Sequence, residues 1–297
     1  MLRTLRRLAT NHCRTATTST KTEVVNAPYA ELNSELFDEV QSRVNQHGNT
    51  IDKIIISFID RDGSKKDYLM NRNISTPYDC ARHVNMLLAK RAVLALTSYG
   101  GSTPQLGCMN ESFRDRCNLE FIDFQSEIYA TELNKAYWRS CSIILAAVLT
   151  EGLKNKISIS DYHNEVSDSF FGVDVSGLTK SLTQSDLRDL SSFARSDFIS
   201  RGIPFETVSL SSEVARDYGL GSSSLLCRFG NFVAPISGPV ISRSDQVGRF
   251  AIVKARLKGN TTLVGGVSIP EAQKTSSFLW EKIMENASDK IGENGGS

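Results

Sequence analysis

The sequence predicts an α+β protein of two folded units, and three observations carry that prediction. A chain of 297 residues has the length of about two domains at roughly 100–200 residues each. Between residues 51 and 125 a β-branched hairpin, a proline-initiated helix and further strands follow one another. From about residue 126 a long apolar helix opens a second series of strands and helices, which ends near residue 287. The expected organisation is a leader over 1–21, a linker or arm over 22–50, folded units over 51–125 and 126–287, and a disordered tail over 288–297.

The leader carries Arg3, Arg6, Arg7, Arg14 and Lys21 and meets no acid before Glu23. Leu2, Leu5 and Leu8 repeat at helical spacing, and a hydroxyl-rich tract runs from Thr15 to Thr20. A basic, amphipathic, acid-poor start of this kind is the pattern of a mitochondrial presequence. Lys plus Arg total 34 against 33 acids; without the five basic leader residues the balance is 29 against 33, about −4. A strongly basic nucleic-acid-binding domain is therefore excluded, and any RNA contact is confined to a local patch. No apolar run reaches the ~18 residues of a membrane helix. Ile143–Leu149, seven residues long, reads as part of a buried helix.

Residues 22–50 are polar, with one helical stretch from Tyr29 to Val44, read as an arm that docks on a partner. Ile51–Ile59 is rich in β-branched residues and predicts a strand. Asp60-Arg61-Asp62-Gly63 is a turn, and Lys66–Asn71 returns as the second strand of a hairpin. Ser75-Thr76-Pro77 starts a helix with a hydroxyl cap and a first-turn proline. Its apolar face is expected to hold Cys80, Val84, Leu87 and Leu88. Strands follow at Ala92–Thr97 and Cys117–Phe124. Hairpin, helix and strands in about 75 residues match a β-grasp module of the ubiquitin type.

In the second unit a helix is expected from about Leu133 to Asn155. A strand is read at Asp168–Val175, and a helix opens with Thr183 and Asp186 at capping-box spacing and stops at Gly202. A strand begins at Pro204-Phe205-Glu206, and Ser211 or Ser212 caps a short helix. Strands at Phe250–Arg256 and Thr261–Ile269 precede a last helix from Pro270 to about Asn286.

The six cysteines, Cys13, Cys80, Cys108, Cys117, Cys141 and Cys227, form no C-x-x-C pair and read as free buried thiols of a reducing compartment. Cys80 and His83 stand three apart but lack the second pair that a zinc site needs. No phosphate-binding loop, dinucleotide loop or Gly-x-Ser-x-Gly elbow occurs, since Gly219–Ser224 lacks the third glycine. Of His12, His47, His83 and His163, none lies in a catalytic motif, and surface or core roles are expected for His83 and His163.

Two segments carry a family resemblance: Asn134-Lys135-Ala136-Tyr137-Trp138-Arg139-Ser140-Cys141-Ser142-Ile143, and Gly230-Asn231-Phe232 through Ile236-Ser237-Gly238-Pro239-Val240. Their frame resembles the editing-like domain of threonyl-tRNA synthetase, where a helix bears His-x-x-x-His and a later loop bears Cys-x-x-x-His. On that frame the ligand positions fall on Arg139, Ile143, Ile236 and Val240, while Ser140, Leu145, Ala146, Phe232, Gly238 and Pro239 match. Asp168–Val175 resembles a further stretch of the family, with Gly172 departing from its acid. Thr76–Ala81, followed by Ala92–Ala95 and Gly100-Gly101, resembles the TGS domain that precedes the editing domain. Zinc takes lone pairs from thiolate, imidazole or carboxylate. Three of the four side chains have none, and Arg139 is a cation with donors only. The pocket is expected to hold no metal and no catalytic residue, with no cofactor and no small-molecule substrate.

Over residues 50–285 the chain is similar to the threonyl-tRNA-synthetase-like proteins of the mitochondrial large ribosomal subunit. The resemblance implies a structural, non-enzymatic ribosomal component in the mitochondrial matrix, held by neighbouring subunit proteins and ribosomal RNA. The alternative is a tRNA-binding protein or a freestanding deacylase that edits mischarged tRNA. Lys135 and Arg139, one helical turn apart, are the candidate RNA contacts, with Tyr137 and Trp138 beside them as stacking surfaces. In the competing reading, Trp138 fills the core and the cations are solvated or paired with Glu132.

Overall fold

The computed structural model describes residues 32–45 and 51–293. The expected leader (1–21), most of the arm and the end of the tail lie outside the described residues.

Helix α1 (Ser34–Val44) begins where the Asn33 side chain accepts the Leu36 N–H at 2.8 Å. Its stripe of Leu36, Phe37 and Val40 is buried. It packs on the chain's own three-stranded sheet, with Val208, Leu226 and Val233 in one cluster. Arg228 stands 4.4 Å over the Phe37 ring and bonds Asp38 and Glu206, each at 2.6 Å.

The hairpin of β1 (Lys53–Ile59) and β2 (Lys65–Asn71) turns at Gly63, whose φ of +81° is a left-handed conformation that glycine adopts without strain. Helix α2 (Pro77–Val84) opens with a full capping box between Thr76 and Asp79. The helix expected to run on through Leu88 breaks at Asn85, which is extended (φ −169°) and caps a new helix, α3 (Met86–Arg91). The Asn85 side chain accepts the Leu88 N–H, and this local bond competes with the helical ladder. Leu87 is therefore 81% exposed and not on the buried face.

Strands β3 (Leu94–Tyr99), β4 (Gln105–Cys108) and β5 (Cys117–Ile122) complete a five-stranded sheet of order β2-β1-β5-β3-β4. Strands β1 and β5 run parallel, and the other pairs are antiparallel. Alternation divides its two faces. Ile54, Ile56, Phe58, Ala95, Leu119 and Phe121 pack with Cys80 and Ala81 of α2, whereas Leu94, Leu96, Cys108 and Ile122 join the larger core beyond.

That larger core is built round α4 (Ala130–Gly152). From Ser140 to Leu149 every residue is buried, in keeping with the buried-helix reading of Ile143–Leu149. Strands β6 (Ser158–His163) and β7 (Phe171–Ser176) follow; β6 and β4 were not expected from the sequence. Helix α5 (Gln184–Phe193), capped by Thr183 and Asp186, runs into a π-helical turn over Ala194–Ile199 and stops at Gly202 (φ +61°). Strand β8 (Phe205–Ser209), helix α6 (Ser212–Asp217, capped by Ser211), β9 (Leu225–Phe229) and β10 (Phe232–Ile236) form the antiparallel sheet β10-β9-β8 under α1. Strands β11 (Val247–Lys258) and β12 (Thr261–Pro270) extend the antiparallel sheet β11-β12-β7-β6.

Helix α7 (Ser277–Glu293) departs from expectation at both ends. Pro270 closes β12 and does not start the helix, and residues 288–293 are helical, not a disordered tail. Ala287 and Ile291 continue its apolar stripe at i, i+4 spacing. Ile291 seats over Gly265, where a Cβ would lie 2.5 Å from its Cδ1.

Phe37→Ala should remove most of the anchor of α1 at a cost of up to about 3–5 kcal/mol. Hydrogen exchange should then accelerate across 34–44 while α4 keeps its protection.

Candidate functional site

Of the four positions that the resemblance singles out, Arg139 and Ile143 lie on α4, Ile236 ends β10 and Val240 follows it, in a segment that crosses α4. Ser140 organises the crossing. Its hydroxyl donates to the Ala136 carbonyl at 2.8 Å and accepts the Ile241 N–H at 2.9 Å. The next amide along, Val240 N–H, points to Cys108 Sγ at 3.4 Å, so β4 is tied to the same segment. Arg139 Nη1 donates to the Pro239 carbonyl at 2.5 Å, and a Cβ on Gly238 would lie 2.9–3.0 Å from the guanidinium. The glycine thus leaves the space into which Arg139 folds.

Ile143, Ile236 and Val240 are buried in the one core that surrounds α4. Arg139 is half-buried at its edge, and burial pushes its guanidinium below the usual range. Beside it, burial pushes the Cys108 thiol up to about 12, so that group is protonated at neutral pH. The arrangement offers one cation, backbone carbonyls and aliphatic surface. A cleft of about 470 Å³ opens next to it, lined among others by Thr97, Cys108, Glu111, Arg114, Gly238 and Pro239. Glu111 already accepts the Ser209 hydroxyl there.

Lys135 is exposed, whereas the Arg139 guanidinium is turned onto Pro239, so the two cations do different things. Tyr137 is buried, its hydroxyl 2.6 Å from Ser268 Oγ and its ring edge-on to Phe124. Trp138 is half-buried and edge-on to Phe171 at 6.1 Å. The pair packs inward and is not presented for base stacking. Cys80 is fully buried while His83 is exposed, and the two share no site. His163, read from the sequence as a plain surface or core residue, stands 3.3 Å from Asp174. No motif marks that approach, because Asp174 arrives from the neighbouring strand.

Two measurements follow from this geometry. Ser140→Ala leaves the buried Ile241 N–H without its acceptor, and equilibrium denaturation should register a loss of about 1–3 kcal/mol. Burial also raises the Cys80 and Cys141 thiols to about 12. Native protein at pH 8 should therefore resist iodoacetamide at Cys80, Cys108 and Cys141, as read by mass spectrometry, and react once unfolded. A thiol pKa raised by folding stabilises fully below the unfolded value of 9.0, and that stability is lost as pH rises towards 12.

No family model matches the chain. It is 35% identical over 129 residues to the large ribosomal subunit protein mL39 of Drosophila melanogaster. That match covers 42% of this chain and 36% of the fly protein, so the chain spans little more than a third of the relative it matches.

Proposed function

We propose that this protein is a structural, non-catalytic component of the large subunit of the mitochondrial ribosome. The observation that carries the reading is the 35% identity to mL39, whose name places that fly protein in a large ribosomal subunit. Partners are accordingly neighbouring subunit proteins and ribosomal RNA, and the basic leader over 1–21 directs the chain to the matrix. No described helix is long and apolar enough to cross a membrane.

The finer assignment is a TGS-like β-grasp module over 51–125 and a degenerate editing-like domain over 126–287. The strand order β2-β1-β5-β3-β4 with a parallel central pair supports the first part, since a β-grasp sheet has that form. The packing of Ile143, Ile236 and Val240 into one core beside Arg139 supports the second. Those positions carry no side-chain lone pair, and Arg139 supplies only donors. The former ligand site is therefore read as metal-free and without turnover. Lys135 is the more available of the two candidate RNA contacts, because Arg139 is engaged by Pro239.

Sucrose-gradient fractionation of mitochondrial lysate with mass spectrometry tests the reading. The chain is expected in the large-subunit and monosome fractions; its confinement to light fractions would overturn the assignment. Turnover of mischarged tRNA by the purified protein would point instead to the editing hydrolase.

A further inference from the structure

The sheet β11-β12-β7-β6 carries three donor side chains that the ribosomal reading leaves unused. Asp161 and His163 of β6 and Asp174 of β7 bring their ligand atoms within 4.8 Å of one another. A β-bulge assembles them. Ile159 pairs with Val175, yet Asp161 pairs with the very next residue back, Asp174, so Ser160 is the extra residue. Before the bulge Ile159, and after it Tyr162, pack against the α4 core. The change of phase turns Asp161 and His163 to the opposite face, where Asp174 also points. His163 is paired there with Gly172 and meets no cross-strand side chain.

Two atoms of this group are buried and lack a hydrogen-bond partner: His163 Nε2 and Asp174 Oδ1. They lie 3.3 Å apart, at ion-pair distance but without hydrogen-bond alignment. Asp174 is only 6% exposed, and its other oxygen faces Lys258 Nζ at 3.3 Å. A buried carboxylate oxygen with no donor is costly, and a bound cation relieves it. The 3.3 Å separation matches the edge of a tetrahedron, roughly 3.3 Å for ligand bonds of ~2.0 Å. Asp161 is exposed, with one oxygen accepting the Tyr162 N–H at 2.8 Å, and the exposed side chain is free to rotate its other oxygen inward.

We propose that Asp161, His163 and Asp174 form a binding site for a first-row divalent cation that accepts nitrogen and oxygen donors, Zn²⁺ foremost. Water completes the coordination, and Lys258 remains outside as the partner of Asp174. The site lies across the sheet from Arg139 and is distinct from the former ligand pocket. It clips β6, the edge strand, to β7. The proposal is independent of ribosomal assembly, since it concerns the isolated chain.

The purified, metal-stripped full chain is titrated with Zn²⁺ by calorimetry and with Co²⁺ by visible absorption. One ion per chain is expected, with a Co²⁺ spectrum that lacks thiolate charge-transfer bands. His163→Asn should abolish binding. Asp161→Asn, at an exposed position that leaves the fold intact, should weaken it by more than the ~10-fold typical of losing an outer partner. Lys258→Met should tighten it by removing a competing charge. Zn²⁺ should also slow hydrogen exchange across 158–163. Absence of binding overturns the proposal, as does binding unchanged in both His163→Asn and Asp161→Asn, or a thiolate spectrum that places the ion on cysteine.

Discussion

Helix α4 imposes the constraint from which the rest of the structure follows. Its stretch from Ser140 to Leu149, buried on every side, has no face to give to water, so other elements must cover the whole circumference there. The inner face of the first sheet, sheet β11-β12-β7-β6, helix α5 and the segment after β10 all contribute to the one core around it. Its hydroxyls stitch that cover in place. Ser140 receives the Ile241 amide, and Ser142 donates to the His163 carbonyl at 3.0 Å. Each of these bonds satisfies a main-chain group that the apolar helix has removed from solvent.

The same constraint accounts for the burial of Ile143, Ile236 and Val240 in that one core. Residues 139 and 143 stand at i, i+4 on α4, and Arg139 meets the segment after β10 at the Pro239 carbonyl. With aliphatic side chains at 143, 236 and 240, the crossing is held by dispersion and by the Ser140 bond. Arg139 spans the remaining width by laying its guanidinium on Pro239. A lone carbonyl is modest compensation for a half-buried cation, and the lowered basicity of Arg139 reflects that.

The parts of this fold legible in the sequence are those set by local chemistry. The hydroxyl cap before Pro77, the Thr183 capping box, the Gly63 turn and the apolar run of α4 each act within a few residues, and each element stands near its expected place. Where reading failed, a distant or competing contact decided the outcome. Asn85 looks like any helical polar residue until its side chain caps α3. Ile291 belongs to a polar, glycine-rich end, and distant residues give it a seat, Gly265 on β12 and the cluster of Phe170, Val253, Leu263 and Val267. Strand β6 is polar because it lies at an edge, and a bulge breaks its period of two. Without β6, Asp161 and His163 could not be matched to Asp174 across the hairpin. Nothing local marks residues 139, 143, 236 and 240 in the sequence, because aliphatic residues carry no signature of a site; only the family resemblance singles them out.

The join between the first sheet and the region beyond it is as well made as either interior. Gln246 is buried and saturated: its amide donates to the Ala92 carbonyl at 2.7 Å, and its oxygen accepts the Ser242 N–H at 3.1 Å. Asn110 donates to the Phe205 and Ser242 carbonyls at 3.1 and 2.7 Å. Arg243 reaches back to the Tyr78 ring, 5.9 Å from its centroid. Leu94, Leu96 and Ile122 lie in the same core as α4, so separating the regions would expose apolar surface and orphan buried amides together. A hinge needs a contact that opens at low cost, and this one does not. The β1–β2 hairpin at one edge and the α1-covered sheet at the other are therefore held in fixed relation. Under the proposed ribosomal role, such rigidity would leave little conformational entropy to lose on assembly.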